Sequence, residues 1–285
     1  MKELLRICVA FAALIASPVM SADLVVTSQV APVFSWEGFY VGANIGRAWG
    51  HSQVDSFFHC PTQTMGLCPY DDPANLGTFS VANNGSLTAT GSVIGGQAGY
   101  NLQDGSVVYG VEVDINSFHL AGTQTAGGLV PVGVGQSFFV GAKFDTHWLL
   151  TARGRLGWVV APQILLYATG GLAVTSISVG NSFTDNAAAF GFSDNVNGSS
   201  SASATHVGYT VGGGAEWAVI GNLSVRAEYM YVDFSSVSTI MHSNLAGFTV
   251  PDVMYTSAKL HANIARIGLN YKFGYTPVGT ILRGG

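Results

Sequence analysis

The fold of this chain is decided by residues 36–50, which read WEGFYVGANIGRAWG. In a β-strand, successive side chains point to opposite faces. One face would then be apolar and consist of Phe39, Val41, Ala43 and Ile45. The other would be small or polar and consist of Tyr40, Gly42, Asn44 and Gly46. A half-buried strand of a soluble protein shows the same alternation, so the rest of the chain has to distinguish the two.

The composition favours a membrane protein. Charged residues make up 9% of the 285 residues, whereas a typical soluble domain has about 25%. The chain also has 37 glycines and 48% hydrophobic residues, so the alternative class is a low-complexity adhesive surface protein. With 11 Lys and Arg and a net charge of −5, the chain offers no basic patch for phosphates, which argues against a nucleic-acid partner.

The N-terminus has the features of a secretory signal peptide. Lys2 and Arg6 form a short charged region, residues 7–16 form an apolar run, and small residues follow at Val19 and at Ser21 or Ala22. The apolar run is too short for a retained membrane helix, which needs about 20 residues. We therefore predict that residues 1–21 are cleaved during export.

The exported part keeps two cysteines, Cys60 and Cys68. In an oxidising compartment a disulfide is the first interpretation. There are two alternatives. The cysteines could form a metal site together with His59, although a structural zinc site needs four ligands at motif spacing, or they could remain as free thiols. We predict the disulfide, and we predict no metal or other cofactor.

Eight segments of about ten residues alternate with period two. They are residues 38–48, 92–102, 107–117, 146–159, 164–175, 205–219, 222–234 and 260–273. Three connections are tight turns, at 103–106, 160–163 and 220–221. The other connections are long and polar, and cover residues 49–91, 118–145, 176–204 and 235–259. Short turns at one end and long loops at the other are typical of an outer-membrane barrel.

One apolar window competes with this interpretation. Residues 156–174 are nearly uncharged, and a hydropathy scan could score them as a membrane helix. Pro162 and Gln163 stand in the middle of the window as a turn would, and the residues on either side alternate with period two. A membrane helix tolerates a lone proline, so the main evidence for two strands is the period-two alternation and not the proline.

The few charges of these segments share one face, opposite the apolar side chains. The predicted lumen charge network consists of Glu112, Asp114, Arg153, Arg155, Glu216, Arg226, Glu228, Arg266 and Lys272. A sheet in hydrocarbon must close, because its edge amides would otherwise be unpaired. Eight strands enclose an interior just wide enough for side chains to fill. Four carboxylates and five cations would pair there, which predicts a plugged lumen.

Aromatic residues on the opposite, outward face lie toward the segment ends, as in the two aromatic girdles of such barrels. The predicted girdle consists of Phe39, Tyr109, Trp148, Trp158, Trp217, Tyr229, Tyr231, Tyr271 and Phe273. Ser117 and His119 share the outward face near a rim and are the nearest candidates for a lipid-hydrolase site. No carboxylate of matching parity follows them, so we predict no enzymatic activity and no catalytic residues.

Three motifs resemble one known family. WEGFYVGANIGRAWG, GYNLQ at 99–103 and RIGLNYKFG at 266–274 are similar to the OmpA-like outer-membrane β-barrel proteins of alphaproteobacteria, known as porin-family surface antigens. The resemblance implies an all-β, eight-stranded antiparallel up-and-down transmembrane barrel with four long extracellular loops in the outer membrane of a Gram-negative cell. It also implies that the barrel-insertion machinery reads a terminal aromatic residue, but in this chain Phe273 is followed by twelve residues.

The function expected from these features is that of a structural, surface-exposed barrel. A small-solute diffusion porin and a loop-mediated adhesin or ligand-binding protein are the alternatives. The expected partners are outer-membrane lipid, lipopolysaccharide and the insertion machinery, whereas the loop ligand is not identified by the sequence. The predicted layout is a signal peptide (1–21), a periplasmic lead-in (22–35), the barrel domain (36–273) and a C-terminal extension (274–285).

Overall fold

The computed structural model describes residues 34–62, 68, 70–132, 135–191, 194–234, 236–244 and 252–274. The predicted signal peptide, most of the lead-in and the extension after Gly274 lie outside the described residues. No helix among the described residues is long and apolar enough to span a membrane.

Nine antiparallel strands form one closed sheet. The strands are β1 (Gly38–His59), β2 (Gly85–Asp104), β3 (Val107–Leu129), β4 (Ser137–Ala161), β5 (Ile164–Asp185), β6 (Asn197–Ile220), β7 (Leu223–Phe234), β8 (Val237–Asn244) and β9 (Asp252–Phe273). The described helical elements are α1 (Pro73–Asn83) and a short 3-10 helix (Ala187–Phe190).

The ring has eight wall positions. β7 and β8 pair with successive parts of β9, so together they occupy one position. β1 pairs with β9 from Phe39 opposite Phe273 to His59 opposite Val253, which closes the ring. The predicted eight-stranded up-and-down antiparallel barrel is confirmed, and so is the predicted pairing of its first and last segments.

The two ends of the barrel differ. At one end, which we call the turn end, the connections β2–β3, β4–β5 and β6–β7 are tight. Two of these turns place a glycine at positive φ, Gly105 at 57° and Gly221 at 52°, a conformation that glycine adopts without steric cost. The opposite end, which we call the loop end, carries α1 and the longer connections.

The strands continue well beyond the predicted segments at the loop end. Much of the sequence predicted as long loops is strand, including residues 49–59, 85–91, 118–129, 137–145, 176–185 and 197–204. β5 shows why the prediction stopped early. Near the turn end Leu172 points outward and is 60% exposed, whereas further along Ile177 and Val179 point inward and are buried, opposite the outward Ser176 and Ser178. The alternation continues, but its apolar side moves from the outside of the wall to the inside.

Candidate functional site in the barrel interior

Eight of the nine predicted lumen charges form two buried clusters inside the wall. The larger one, the central cluster, consists of Arg153, Arg226, Arg266, Glu112, Asp114 and Glu228. Arg153 contacts all three carboxylates. Its Nη2 pairs with Glu112 and lies 2.8 Å from Asp114 Oδ2, and its Nη1 lies 2.9 Å from Glu228 Oε1.

The other two arginines complete the central cluster. Arg226 Nη1 lies 2.5 Å from Glu112 Oε2, and Arg266 reaches both Glu228 Oε2 at 2.6 Å and Asp114 Oδ1 at 3.2 Å. Three guanidinium groups and three carboxylates give a formal charge of zero. Their side chains are 0–1% exposed, so each charge depends on its partners to offset the loss of hydration.

Neutral donors satisfy further oxygens of the central cluster. The Tyr40 hydroxyl donates to Glu112 Oε2 at 2.6 Å, and the Thr151 hydroxyl donates to Asp114 Oδ2 at 2.6 Å. Tyr40 belongs to β1 and Thr151 to β4. The network therefore links side chains from several strands of the wall across the barrel interior.

The second cluster is the pair of Arg155 and Glu216. Glu216 Oε1 also accepts hydrogen bonds from Ser224 at 2.5 Å and from Asn270 at 2.7 Å. The Arg155 guanidinium lies 3.9 Å from the centroid of the Tyr167 ring, a cation–π contact. Gly214 makes room for that ring, because a Cβ there would lie 2.8 Å from the Tyr167 hydroxyl oxygen.

Lys272, the ninth predicted member, lies apart from both clusters. Its Nζ donates to the backbone oxygen of Ser35 and lies 4.9 Å from the centroid of the Phe34 ring. It therefore fixes the lead-in at the mouth of the barrel. Without Lys272, the two clusters contain four arginines and four carboxylates, and their formal charges cancel.

The first residue of the predicted barrel domain, Trp36, occupies the interior at the turn end. Trp36 is 3% exposed and packs inside the mouth against Val108, Leu165 and Ala218. Its backbone N–H donates to Gln103 Oε1 at 2.7 Å. The Trp36 side chain therefore lies in the barrel interior at the turn end.

Apolar side chains occupy the interior on the loop-end side of the charges. Members of this cluster include Val93, Phe118, Leu120, Leu149, Ile177, Met230, Val232, Phe234, Leu260 and Ile264. Because such a core excludes water, it isolates the charged clusters from the loop end.

A third layer, the aromatic plug, closes the loop end. It consists of Phe58, Tyr70, Phe79, Phe138 and Phe183. Phe79, which is 0% exposed, stands in the middle of the plug. Its ring centroid lies 4.6 Å from that of Phe138, 4.9 Å from that of Tyr70 and 5.1 Å from that of Phe183.

Helix α1 carries Phe79 into the plug. Asp72 caps the helix, since its side chain accepts the Ala74 N–H at 2.8 Å, and Pro73 occupies the first helical position. An aspartate followed by proline is a recognised helix start. This signal could have revealed α1 in the sequence, where the whole region was interpreted as loop.

The two cysteines lie beside the plug. Cys60 and Cys68 are joined by an S–S bond of 2.02 Å. Tyr70, two residues beyond, donates its backbone N–H to Asp252 Oδ2 at 2.9 Å and its hydroxyl to Asp185. Burial raises the pKa of the Tyr70 phenol above its usual range, so it remains a donor. This segment joins the loop-end parts of β5 and β9.

The loop-end region is expected to become less stable as the pH rises from about 4 to about 7. Burial raises the pKa of the Asp252 carboxyl to about 7, with a further rise from Asp71 and an opposing effect of the Tyr70 N–H. Since the folded pKa exceeds the unfolded one, protonation stabilises the fold, and this contribution is lost as pH rises through 7. Protease cleavage of the 60–84 segment should accelerate over this range.

The Asp252→Asn variant is the control, because it should show a nearly pH-independent cleavage rate at the slow, low-pH level. If the wild-type and variant proteins share the same pH profile, Asp252 is not the responsible group.

The predicted girdle residues lie on the outer surface. Trp158, Trp217 and Tyr229 are 58%, 55% and 49% exposed, respectively. Trp148 lies at a bulge in β4, between Thr146 and Leu149, and shares the outward parity of Leu156 and Trp158.

Ser117 and His119 remain a surface pair. Ser117 Oγ lies 3.0 Å from His119 Nδ1. On the neighbouring strand, His147 Nε2 lies 3.4 Å from Asp145 Oδ2. The two imidazole ring centroids are 6.4 Å apart, so these contacts are two separate pairs.

Comparison with known proteins identifies the architecture. The profile of the outer membrane protein beta-barrel domain matches residues 9–273. The chain belongs to this family. It is 31% identical to the 31 kDa outer-membrane immunogenic protein of Brucella melitensis, over 94% of this chain and 98% of that protein. It is 30% identical to a 22 kDa outer membrane protein of Rhizobium leguminosarum, over 73% of this chain and 69% of that protein.

Among solved structures, the chain resembles the outer membrane protein OprG from Pseudomonas aeruginosa, with a TM-score of 0.43 and 13% identity over 84% of this chain and 97% of that chain. As a member of the outer-membrane β-barrel family, the protein resides in the cell outer membrane, and the predicted family and location are confirmed. In such barrels the short turns face the periplasm and the longer connections face the outside. The turn end is therefore periplasmic and the loop end extracellular.

Proposed function

We propose that this protein is a structural, surface-exposed outer-membrane barrel whose interior is closed to solutes. The main support is that four groups of buried side chains follow one another along the barrel axis. They are Trp36 at the periplasmic mouth, the charged clusters, the apolar core and the aromatic plug. The charged clusters alone link side chains from several strands across the barrel interior. Opening such a network to ions would require buried charges to separate, which is unfavourable by several kcal/mol.

A diffusion porin is the alternative, and single-channel recording distinguishes the two. We expect the purified, folded protein in a planar lipid bilayer to give no steady conductance steps. The Trp36→Gly variant, which opens the periplasmic mouth alone, should also give no conductance steps, because the other three groups of buried side chains remain in the interior. Steady, large steps from the wild-type protein would support the porin and contradict the closed interior.

The proposal includes the absence of enzymatic activity. The Ser117–His119 and His147–Asp145 pairs are separate contacts on the outer surface, and their side chains are largely exposed. A hydrolase needs a nucleophile, a base and an orienting group in one connected arrangement. Release of fatty acid from lipid by the purified protein, lost in the Ser117→Ala variant, would contradict this part of the proposal.

The proposed partners follow from the location. Outer-membrane lipid and lipopolysaccharide would surround the apolar wall, and the barrel-insertion machinery would bring the chain into the membrane. Phe273 ends β9 with an outward, 47% exposed ring beside Phe39, at a centroid distance of 5.7 Å. This exposed terminal ring is the candidate insertion signal.

A further inference from the structure

A shallow groove runs along the lipid-facing surface of β1, β9, β7 and β6. Its lining includes the small residues Gly213, Ala227 and Ala265 and the larger Ile45 and Ile267, and its volume is about 830 Å³. A second hollow of about 370 Å³ shares Ile45 and Ile267 and continues toward the periplasmic end past Ala43 and Leu269. The two hollows form one apolar groove, which follows β1 for about 13 Å from residue 43 to residue 47.

Arg47 stands at the extracellular end of this groove. Its side chain points outward and lies next to Ala265 of β9 in the register of the sheet. Within the described ranges, no carboxylate lies within 4.0 Å of its guanidinium nitrogens. A cation that faces hydrocarbon is unfavourable at the membrane centre and is tolerated near the interface, where lipid headgroups supply anions.

Aromatic and polar side chains mark the headgroup level directly above Arg47. The ring centroids of Trp49 and Tyr229 lie 6.1 Å apart, and the Tyr229 hydroxyl donates to Asn263 Oδ1 at 2.7 Å. Such rings prefer the interface between hydrocarbon and headgroups. The groove below them is therefore at acyl-chain depth, and Arg47 lies at the boundary between the two layers.

The other outward-facing cations of the described wall also lie in its extracellular half. Lys143 and Lys259 both project from the loop-end parts of their strands. The acidic side chains that face outward in this half are Asp55, Asp145 and Asp233. Asp233 is engaged by the Tyr231 hydroxyl at 3.0 Å and by Lys259 Nζ at 3.9 Å. Arg47 is nevertheless the only outward-facing charged residue in the described lining of the groove, which favours an anion from the outer leaflet.

We propose that Arg47 and the apolar groove bind one outer-leaflet lipid that carries a phosphorylated headgroup. The planar guanidinium binds the phosphate through two parallel hydrogen bonds, and one acyl chain of the lipid lies in the groove. The small residues of the lining allow the chain to approach the backbone of the wall. This site is independent of the closed interior, since it uses the opposite face of the strands.

The experiment is native mass spectrometry of the full-length folded protein mixed with diphosphoryl lipid A, with the same lipid after removal of its phosphates, or with inorganic phosphate. The wild-type protein should retain the phosphorylated lipid. Arg47→Gln should lower its retention about tenfold, the effect of losing one charge-assisted contact, and removal of the lipid phosphates should have the same effect on the wild-type protein. Ala265→Phe, which fills the groove, should lower the retention of both lipids.

Two matched variants serve as controls. Lys143→Gln removes another outward cation, and Ala168→Phe fills a similar hollow of about 550 Å³ that lies over Gly154 and Gly170 and has no outward cation in its lining. Both should retain lipid as the wild-type protein does. The proposal is overturned if Arg47→Gln retains the phosphorylated lipid as well as wild type, if the controls lose it equally, or if inorganic phosphate displaces it. Heat-modifiable gel mobility verifies that each variant is folded, and the comparison of the two lipids on the wild-type protein needs no variant.

Discussion

Replacing Arg153 by methionine is expected to lower the free energy of unfolding by about 3–5 kcal/mol, the usual effect of removing one partner from a buried ion network. Arg153 is bonded to Glu112, Asp114 and Glu228 at once. Without it, three carboxylates face two arginines in a space that water does not reach. Urea unfolding in lipid vesicles, followed by the gel mobility of the folded barrel, measures the change.

A second substitution tests whether charge balance is the reason. In the double variant Arg153→Met/Glu228→Gln the central cluster again contains equal numbers of positive and negative groups. The double variant should therefore be more stable than the sum of the single effects predicts. Lys259→Met, which removes a cation that is 60% exposed, should change stability by less than about 1 kcal/mol. Additive single effects would show that the charges act independently and would contradict the network.

Replacing Phe79 by alanine is expected to detach helix α1 from the barrel mouth. Phe79 is fully buried among the rings of Tyr70, Phe138 and Phe183, and a truncation of this kind costs about 3–5 kcal/mol. The barrel wall should stay folded, because the β-ladders do not depend on the plug. Protease treatment of whole cells should then cut residues 70–84 at least about a hundredfold faster.

Val81 provides the matched control on the same helix. Its side chain is 71% exposed, so Val81→Ala should leave the cleavage rate within about twofold of wild type. Equal cleavage of the two variants would mean that Phe79 does not hold the helix in place. The experiment also reports on the closed extracellular mouth, since the same ring forms its centre.

The membrane-spanning part of the fold was predictable because the membrane imposes a single rule on it. Side chains that face lipid must be apolar, and charges such as Glu112 and Arg226 can then occur only on the other parity. The extracellular wall follows the opposite rule, with Ile177 and Val179 inside. A strand prediction that requires apolar side chains on the outward face therefore stops at the membrane surface, and the rest of each strand is predicted as loop.

A bulge in β4 explains a second difference between the predicted and the observed wall. Simple alternation from Trp148 would place Thr146 outside the wall, but the register shift in β4 places it inside, where it is 1% exposed. Its hydroxyl donates to the backbone oxygen of Phe118 at 2.9 Å. A bulge inserts one residue without a distinct sequence signal, so period counting cannot locate it.

The sequence predicts which residues belong to the charged site better than it predicts which of them pair with each other. Parity placed the charges on one face, but which arginine meets which carboxylate depends on strand stagger and on room left by residues such as Gly214. Lys272 shows the limit. It shares the parity of Arg266 but lies six residues nearer the turn end, where it contacts Ser35 instead of a carboxylate.

The inversion of the wall above the membrane determines what an antibody can recognise on a living cell. On β5 and β6 the outward surface there carries small hydroxyl side chains, such as Ser178 and Ser203, whose Oγ atoms lie 2.7 Å apart. Ser178 and Ser203, which are neighbours on this surface, are 25 positions apart in the chain, and every second residue of β5 from 177 to 185 is hidden in the core. Epitopes on this wall are therefore conformational, and a synthetic peptide copied from a single strand would present half of its side chains from the wrong side.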